Sequence, residues 1–265
     1  MFKNNEFISN ENSRVPYVKK LSGDKLLEQC RYFINEAENI VFLTGAGIST
    51  NSGIPDFRSK NGWYSKSPED ILSRSNFFRK PKEVCEFLYR YYNLIDVSPT
   101  ISHKIIAELG NNKNVSVITQ NVDMLHTKAG SKNVIELHGS FKDATCYKCK
   151  KKYNIERILN EDVFNDNFKI QCSCRGCIKP DIVLFEENVY YLKKAINIMR
   201  KADLVIIVGT GLQVNPFATL PTYCKIDTPY IIINKDATTL DDDRMSVVIN
   251  GDCDDILNKI IKENI

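Results

Sequence analysis

The stretch VSVITQNVDMLHTKAGSKNVIELHG, residues 115–139, decides the fold predicted for this chain. Its two short apolar runs, 115–119 and 134–137, have the length and β-branched content of buried strands. Polar residues follow each run at once: Gln120, Asn121 and Asp123 after the first, and His138 after the second. Taken singly, such residues commonly cap helices or end strands. Ligands of parallel sheets bind beyond the carboxyl ends of the strands, so the four together predict a site in one crevice.

The flanking sequence alternates strand and helix signals. Apolar runs at 40–44, 182–185, 204–208 and 230–233 predict further strands, and amphipathic segments at 24–37, 189–201 and beyond 252 predict helices. This alternation predicts an α/β fold, with a Rossmann-like parallel sheet that carries helices on both faces. A smaller inserted module, zinc-binding and helical, is predicted beside it.

Two interruptions of the alternation define the predicted domains. Residues 57–98 (helical) and 141–179 (a zinc ribbon) are expected to form a small domain. The Rossmann-like domain would then comprise residues 21–56, 99–140 and 180–265. The polar segment 1–20 lacks periodicity and is predicted to be a flexible N-terminal arm. His103, at the start of an amphipathic segment, is predicted to be an exposed helix residue.

The strand at 40–44 leads directly into the glycine-rich turn GAGIS at 45–49. Such a turn brings free backbone amides close to a pyrophosphate, although a plain tight turn has the same signature. The turn departs from the dehydrogenase fingerprint, because Thr50 replaces the third glycine and no acidic strand end follows about 20 residues on. A second glycine-rich strand end, GTG at 209–211, suits ribose or phosphate. Nucleotide binding is predicted, and hydride transfer is not.

Five of the nine cysteines lie between Cys146 and Cys177, in the pattern C-x-x-C followed by C-S-C-R-G-C. Clustered thiols in a chain that is predicted to be intracellular favour a metal over disulfides. Four thiolates suit a structural Zn²⁺ and leave no open position for catalysis. Cys146 and Cys149 form the first pair, while Cys172, Cys174 and Cys177 offer three thiols for two places.

The bulk composition limits the possible partners. The net charge of +3 from 36 basic and 33 acidic residues is too balanced to indicate nucleic acid, and the lysines at 148–152 are interpreted as a solvated run. No apolar run approaches the ~20 residues of a membrane span. The chain is therefore predicted to be cytoplasmic, or nuclear if eukaryotic, without a membrane partner.

At this level of detail the chain resembles the sirtuins, the NAD-dependent protein deacylases. The matching motifs, in the family's order, are GAGIS at 45–49, GIPDFR at 53–58, TQNVDMLH at 119–126, ELHGS at 136–140, the cysteine clusters, KPDIVLF at 179–185, GTGLQVNP at 209–216 and GDCDDIL at 251–257. The resemblance implies NAD and one structural Zn²⁺ as cofactors and an acyl-lysine protein or peptide as partner. It implies transfer of the acyl group to ADP-ribose with release of nicotinamide.

The resemblance also implies roles for individual residues. His138 would be the general base, and Asn121 would act with it beside the nicotinamide ribose. The implied cofactor-binding residues are Gly45, Ala46, Gly47, Ser49, Asp56, Phe57, Arg58, Gln120, Asn121, Val122, Asp123, Gly209, Thr210, Gly211, Asn234 and Cys253. The implied substrate-binding residues are Val183, Phe185, Glu186, Val214, Leu88 and Tyr91. The peptide is expected to add as a strand between 182–186 and 211–215, along free backbone edges.

Departures from the family pattern refine this expectation. Glu186 replaces the usual glycine of F-G-E, and Gly211 replaces the serine of G-T-S. Counting back from Pro180 assigns Cys172 and Cys174 as the second zinc pair, with Cys177 as the spare thiol. Leu88 and Tyr91 occupy the positions of the Tyr-x-x-Arg that accompanies acidic acyl groups, so acetyl or a longer apolar acyl group is expected.

Two other functions compete with deacylation. A protein ADP-ribosyltransferase would use the same NAD cleft but pass ADP-ribose to a protein side chain. A zinc-ribbon module that binds nucleic acid or protein would use the basic loop 148–152 and no enzyme chemistry. The motif set favours the deacylase, and the oligomeric state stays open.

Overall fold

The computed structural model describes residues 23–56, 71–160, 171–241 and 246–262. The predicted N-terminal arm, residues 1–20, lies outside the described residues. So do two predicted cofactor-binding residues, Phe57 and Arg58, and parts of both predicted insertions.

Six parallel strands form the main sheet. They are β1 (Asn39–Thr44), β2 (Asn114–Thr119), β3 (Val134–Glu136), β7 (Leu204–Val208), β8 (Tyr230–Asn234) and β9 (Ser246–Asn250). Their order is β3-β2-β1-β7-β8-β9, so the chain turns back across the sheet between β1 and β7. This is the order of doubly wound nucleotide-binding sheets, whose ligands bind where the strand order reverses. The predicted parallel α/β sheet is confirmed.

Helices cover both faces of this sheet. On one face α1 (Asp24–Glu36), α4 (Ile101–Leu109) and a C-terminal helix (Cys253–Ile261) share a core with Phe42 and Ile206. On the other face a helix at Leu192–Met199 and a 3₁₀ helix at Phe217–Tyr223 pack on the alternate strand residues, such as Val41 and Ile207. Because both faces are buried, the strands are apolar throughout rather than alternating. Across the described ranges, no helix is long and apolar enough to cross a membrane.

A second, antiparallel sheet forms the smaller module. It contains β4 (Gly139–Cys146), β5 (Lys152–Asn154) and β6 (Ile178–Ile182), in the order β5-β4-β6. The helices α2 (Arg74–Arg79) and α3 (Pro81–Leu94) belong to the same apolar cluster as this sheet. Residues from both predicted insertions therefore share one core, although the predicted domain limits stay predictions.

The strand predicted at 182–185 is wrong in position. The strand is Ile178–Ile182, which pairs antiparallel with β4 instead of joining the main sheet. Pro180 hides it from pattern reading, since proline is rare in strands, but β6 lies at a sheet edge, where proline is tolerated. Phe185 instead forms an isolated parallel bridge with Ser73. The strands β4, β5 and β9 were not predicted.

The prediction that His103 is exposed is wrong, because its side chain is fully buried. Its Nδ1 lies 2.7 Å from Thr100 Oγ1, and its ring meets the His126 ring edge-on at 4.5 Å between centroids. His126 Nε2 in turn lies 2.9 Å from the hydroxyl of Thr44, at the end of β1. Burial lowers the pKa of His103 to about 4 and also lowers the pKa of His126.

Acid is therefore expected to destabilise the fold through this histidine pair. Below about pH 6.5 the histidines of the unfolded chain take up protons, while the folded pair stays neutral. The pair's contribution to the free energy of unfolding is therefore fully present above about pH 6.5 and is lost as the pH falls towards 4. Each histidine should contribute a slope of about 1.4 kcal/mol per pH unit in this window. Urea denaturation at pH 7, 6 and 5 should show a flatter dependence for His103→Gln than for the wild type. Equal slopes would contradict this account.

Candidate active site

The two glycine-rich turns, 45–47 after β1 and 209–211 after β7, pack directly on each other. A Cβ on Gly45 would lie 2.7 Å from the Cβ of Thr210, and one on Gly47 would lie 2.8 Å from the Cα of Gly209. Gly209 has a φ of 62°, in the left-handed region that glycine tolerates. These glycines thus allow two strand ends to meet backbone to backbone where the strand order reverses.

The prediction that the amides of this first turn are free is wrong for Gly45 and Gly47. Gly45 N donates to Val208 O at 3.1 Å, and Gly47 N donates to Gly209 O at 2.9 Å. Ala46 begins a short 3₁₀ helix, Ala46–Ser52, rather than an α-helix. The sequence motif therefore serves first to join the turns.

Gly209→Ala is expected to destabilise the protein by about 2–5 kcal/mol, from the left-handed conformation and overpacking together. The new Cβ would lie 2.3 Å from Ile48 N and 2.6 Å from Gly47 C. Gly211→Ala is the matched control, because its nearest neighbour would be the Gln213 side chain at 3.6 Å. Chemical denaturation without added nucleotide measures both changes. A similar loss in the two variants would contradict the proposed contact between the turns.

A chain of hydrogen bonds joins the polar residues that follow β2 to the first turn. Asn121 Nδ2 donates to Gly45 O and to Ser49 Oγ, both at 3.1 Å, and Ser49 Oγ donates to Asp123 Oδ2 at 2.7 Å. Leu125 N donates to the other Asp123 oxygen at 2.9 Å. Burial raises the pKa of Asp123, and these hydrogen bonds act in the opposite direction. The network holds Asn121, Ser49 and Asp123 in fixed positions.

His138 lies at the end of β3, and a hydrogen bond orients its ring. Its Nδ1 is 3.1 Å from the carbonyl oxygen of Gln120. A carbonyl only accepts hydrogen bonds, so Nδ1 must carry the proton, which leaves Nε2 with a free lone pair in the neutral ring. Burial lowers the pKa of His138, against the raising effect of the Gln120 carbonyl. The ring is thus neutral near pH 7 and able to accept a proton.

Gln120 links His138 to the second glycine turn. Its backbone carbonyl holds the His138 ring, and its side-chain Oε1 accepts a hydrogen bond from Thr210 Oγ1 at 3.3 Å. Its Nε2 is buried and has no partner within the described part of the chain. A buried amide without an acceptor is costly, so a hydroxyl or carbonyl of a ligand would suit this position.

The remaining predicted cofactor-binding residues lie at strand and helix ends. Asn234 ends β8, where its side chain donates to Asp236 O at 2.7 Å. Cys253 is buried at the start of the C-terminal helix, and burial raises its pKa to about 12. Ala46, Asp56, Val122 and Gly211 are half-buried.

The predicted peptide-binding segment starts beside the histidine. Val183 N donates to His138 O at 2.7 Å. The expected free edge is wrong at Phe185, because Phe185 N donates to Leu72 O and Phe185 O accepts from Arg74 N, both at 2.9 Å. On the opposite stretch, Val214 is half-buried, and its carbonyl accepts from Ala218 N.

Glu186 adopts a φ of 73°, a conformation that favours glycine. Its Oε2 accepts hydrogen bonds from Ser75 N at 3.0 Å and Ser75 Oγ at 2.6 Å. These bonds lower the pKa of Glu186. Ser75 was missed by sequence reasoning, since nothing local marks a serine in α2 as a partner of residue 186.

Leu88 and Tyr91, the predicted acyl-binding residues, lie in the apolar core of the smaller module. Their exposed fractions are 1% and 4%, and the Tyr91 ring stacks on Phe141 at 5.8 Å. Val122, from the loop after β2, packs against the same cluster. Both side chains therefore lie in an apolar environment, and neither of them carries a positive charge.

Cys146, Cys149, Cys172 and Cys174 bring their sulfur atoms together, all within 4.8 Å of one another. Two of the sulfur pairs lie 3.5 Å apart, close to the ~3.8 Å edge of a tetrahedral Zn²⁺ site with Zn–S bonds of about 2.3 Å. Cys177 is exposed and does not belong to this group. Gly176 passes so close that an added Cβ would lie 2.7 Å from Cys146 Sγ. The donor set fits one structural zinc ion.

The doubly wound sheet, the paired glycine turns at its reversal point and the separate four-cysteine module together define a Rossmann-type dinucleotide-binding protein. The unpartnered Gln120 Nε2 fits a nucleotide ribose at this place. A family model described as the Sir2 family matches residues 45–216. This chain belongs to the Sir2 family.

Individual relatives agree with this assignment. The chain is 41% identical over 211 residues to an NAD-dependent protein deacetylase of Listeria innocua, covering 78% of this chain and 89% of the relative. It is 37% identical over 246 residues to one of Staphylococcus aureus, covering 89% and 98%. A solved structure of Sir2 with a p53 peptide and NAD⁺ superposes with a TM-score of 0.80 at 33% identity, covering 92% of this chain and 99% of the other. A Sir2 protein bound to a propionylated peptide gives a TM-score of 0.79 at 33% identity, covering 90% and 98%.

Proposed function

We propose that this protein is an NAD-dependent protein-lysine deacylase that transfers the acyl group to ADP-ribose and releases nicotinamide. The observation that carries the proposal is the orientation of His138, whose Nδ1 faces the Gln120 carbonyl at 3.1 Å. A neutral imidazole with a free Nε2, beyond the end of β3 and next to the turn that follows β2, suits a general base. The relatives named NAD-dependent protein deacetylases support the same chemistry.

The residues around His138 would bind and orient the nucleotide. The Gln120 amide would donate to a ribose hydroxyl, because its Nε2 has no acceptor within the described ranges. Asn121, Ser49 and Asp123 would hold the nicotinamide end, fixed by their own hydrogen bonds. The paired glycine turns would support the diphosphate, and Asn234 and Cys253 would line the adenosine end. Bound NAD supplies the ribose carbon from which nicotinamide leaves as the acyl oxygen attacks.

His138 would then accept a proton at Nε2 from a ribose hydroxyl. Its neutral state is ready for this step because burial lowers its pKa. The Gln120 carbonyl would stabilise the protonated ring through Nδ1–H, since a hydrogen bond to a charged donor is stronger than one to a neutral donor. Val183, bonded to the backbone of His138, would place the acyl-lysine peptide next to the base. Phe185, Glu186 and Val214 would form the rest of the peptide groove.

The acyl group itself is proposed to be acetyl or a longer apolar chain. Leu88 and Tyr91 are apolar or aromatic and buried, and neither offers a charge to an acidic acyl group. A cytoplasmic location is proposed on the free, clustered cysteines.

A panel of acyl-peptides, from acetyl to myristoyl plus succinyl, tests the proposal with NAD and mass spectrometry. Deacylated peptide, nicotinamide and O-acyl-ADP-ribose in equal amounts are expected for acetyl and apolar chains, with little reaction of succinyl-lysine. Labelled ADP-ribose that stays on the protein, without a small acyl-sugar product, would instead identify an ADP-ribosyltransferase. Absence of any NAD-dependent product would overturn the proposal.

A further inference from the structure

Tyr147 lies inside the first cysteine pair and points away from it, towards the peptide-binding segment. Its hydroxyl donates to Glu187 Oε1. Its ring packs against two phenylalanines of α2, with centroid distances of 6.0 Å to Phe77 and 5.1 Å to Phe78. Its backbone N donates to Cys177 O at 2.9 Å, so the residue is held on both sides.

Glu187 connects Tyr147 to the backbone at the end of β6 and just after it. Its Oε2 accepts from Leu184 N and from Lys179 Nζ, both at 2.9 Å. Lys179 Nζ also donates to Ile182 O. The side chains of Lys179 and Glu187 are only 9% and 16% exposed, so the ion pair is shielded from water. The carboxylate thus holds the backbone directly at residue 184 and, through Lys179, at residue 182, on either side of Val183.

Val183 connects these hydrogen bonds of Glu187 and Lys179 to the candidate active site. Its N–H donates to the His138 carbonyl at 2.7 Å. A continuous set of hydrogen bonds therefore runs from the four-cysteine module through Tyr147 and Glu187 to the segment that flanks the base. A partly buried carboxylate that loses one donor relaxes towards the others, which would shift residues 182–184.

We propose that Tyr147 is a positioning residue, which fixes the position of the peptide-binding segment 182–186 relative to the four-cysteine module, through Glu187. This inference rests on the proposed function, because the segment is assigned to the acyl-lysine peptide there. Tyr147 touches neither the nucleotide turns nor the His138 ring within the described contacts, so its effect should fall on the peptide and not on NAD.

Tyr147→Phe tests the proposal, because it removes the hydroxyl and keeps the ring packing on α2. The Michaelis constant for acetyl-peptide is expected to rise about tenfold, the low end for losing a hydrogen bond to a charged group. The maximal rate and the Michaelis constant for NAD should stay within about twofold of wild type. The zinc content should stay at about one per chain. Direct binding of a labelled acetyl-peptide, followed by fluorescence anisotropy, should weaken by the same factor.

Tyr190→Phe is the matched control, since Tyr190 lines the same 220 Å³ cavity as Tyr147 and Glu187 but is 40% exposed. It should leave peptide binding unchanged. Combining Tyr147→Phe with Glu187→Ala should weaken binding little further than Glu187→Ala alone, because the Tyr147 hydroxyl has lost its acceptor once the carboxylate is removed.

Three results would overturn the proposal: unchanged peptide binding in Tyr147→Phe, additive effects in the double variant, or zinc loss with equal falls in NAD and peptide binding. The last would mean that Tyr147 only supports the module's fold. An inactive wild type that still binds peptide through Tyr147 would separate failure of the proposed function from failure of this inference.

Discussion

His138→Ala is expected to lower the rate of deacylation by about 10²–10⁴-fold, the range for removing a general base. The ring is oriented by Gln120 and is neutral near pH 7, and alanine at this position offers no group that could accept the proton. Nicotinamide and deacylated peptide are quantified by mass spectrometry at saturating NAD. The folded state and NAD binding are checked by the thermal shift that NAD produces in both proteins.

Lys142→Ala is the matched control for this change. Lys142 is exposed and lies on β4, the strand that begins directly after His138. It should retain the wild-type rate. Wild-type nicotinamide release by His138→Ala, with NAD and acetyl-peptide present, would remove the base from the mechanism. A loss of rate accompanied by loss of the NAD thermal shift would show a binding role instead.

Cys146→Ser is expected to remove the bound zinc and to unfold the smaller module. Structural zinc contributes about 10–16 kcal/mol to folding in small zinc modules, and the site needs all four thiolates. Cys146 is completely buried, and its sulfur belongs to the four-cysteine group. Metal content by plasma mass spectrometry should fall from one zinc per chain to nearly none, with an early transition in the thermal melt.

Cys177→Ser provides the comparison, because Cys177 is exposed and outside that group. It should keep one zinc per chain and a melting temperature within about 2 °C of wild type, as expected of a surface change. Zinc loss in Cys177→Ser, or full zinc in Cys146→Ser, would show that the ligand set is wrong.

The sequence predicted the centre of the main sheet well, because its strands are buried on both faces and appear as uninterrupted apolar runs. Leu204–Val208 matches its predicted limits, and β1 differs by one residue. The same logic placed Gln120, Asn121 and His138 at neighbouring strand ends, where hydrogen bonds join His138 to Gln120 and Asn121 to Gly45. Their assigned roles stay predictions.

Interactions between distant parts of the chain could not be predicted in this way. The backbone hydrogen-bonding groups of Phe185 are paired with residues about 110 positions earlier in the chain, which no local pattern indicates. The burial of His103 depends on Thr100 and on His126. The backbone amides of Gly45 and Gly47 donate to the carbonyls of residues 208 and 209. Those carbonyls lie more than 160 residues later in the chain, so the local motif suggested free donors. Pro180 concealed β6 because strand propensities penalise proline wherever it occurs.

The pairing of β1 with β7 has a consequence for synthesis on the ribosome. Ile40 pairs with Leu204, so the first strand acquires its second neighbour only after most of the chain has emerged. At about 5–20 residues per second this takes roughly 10–30 s, during which one hydrogen-bonding edge of an apolar strand is unprotected. Nascent chains of this protein are therefore expected to depend on chaperones until translation passes β7, and truncations before Leu204 should aggregate.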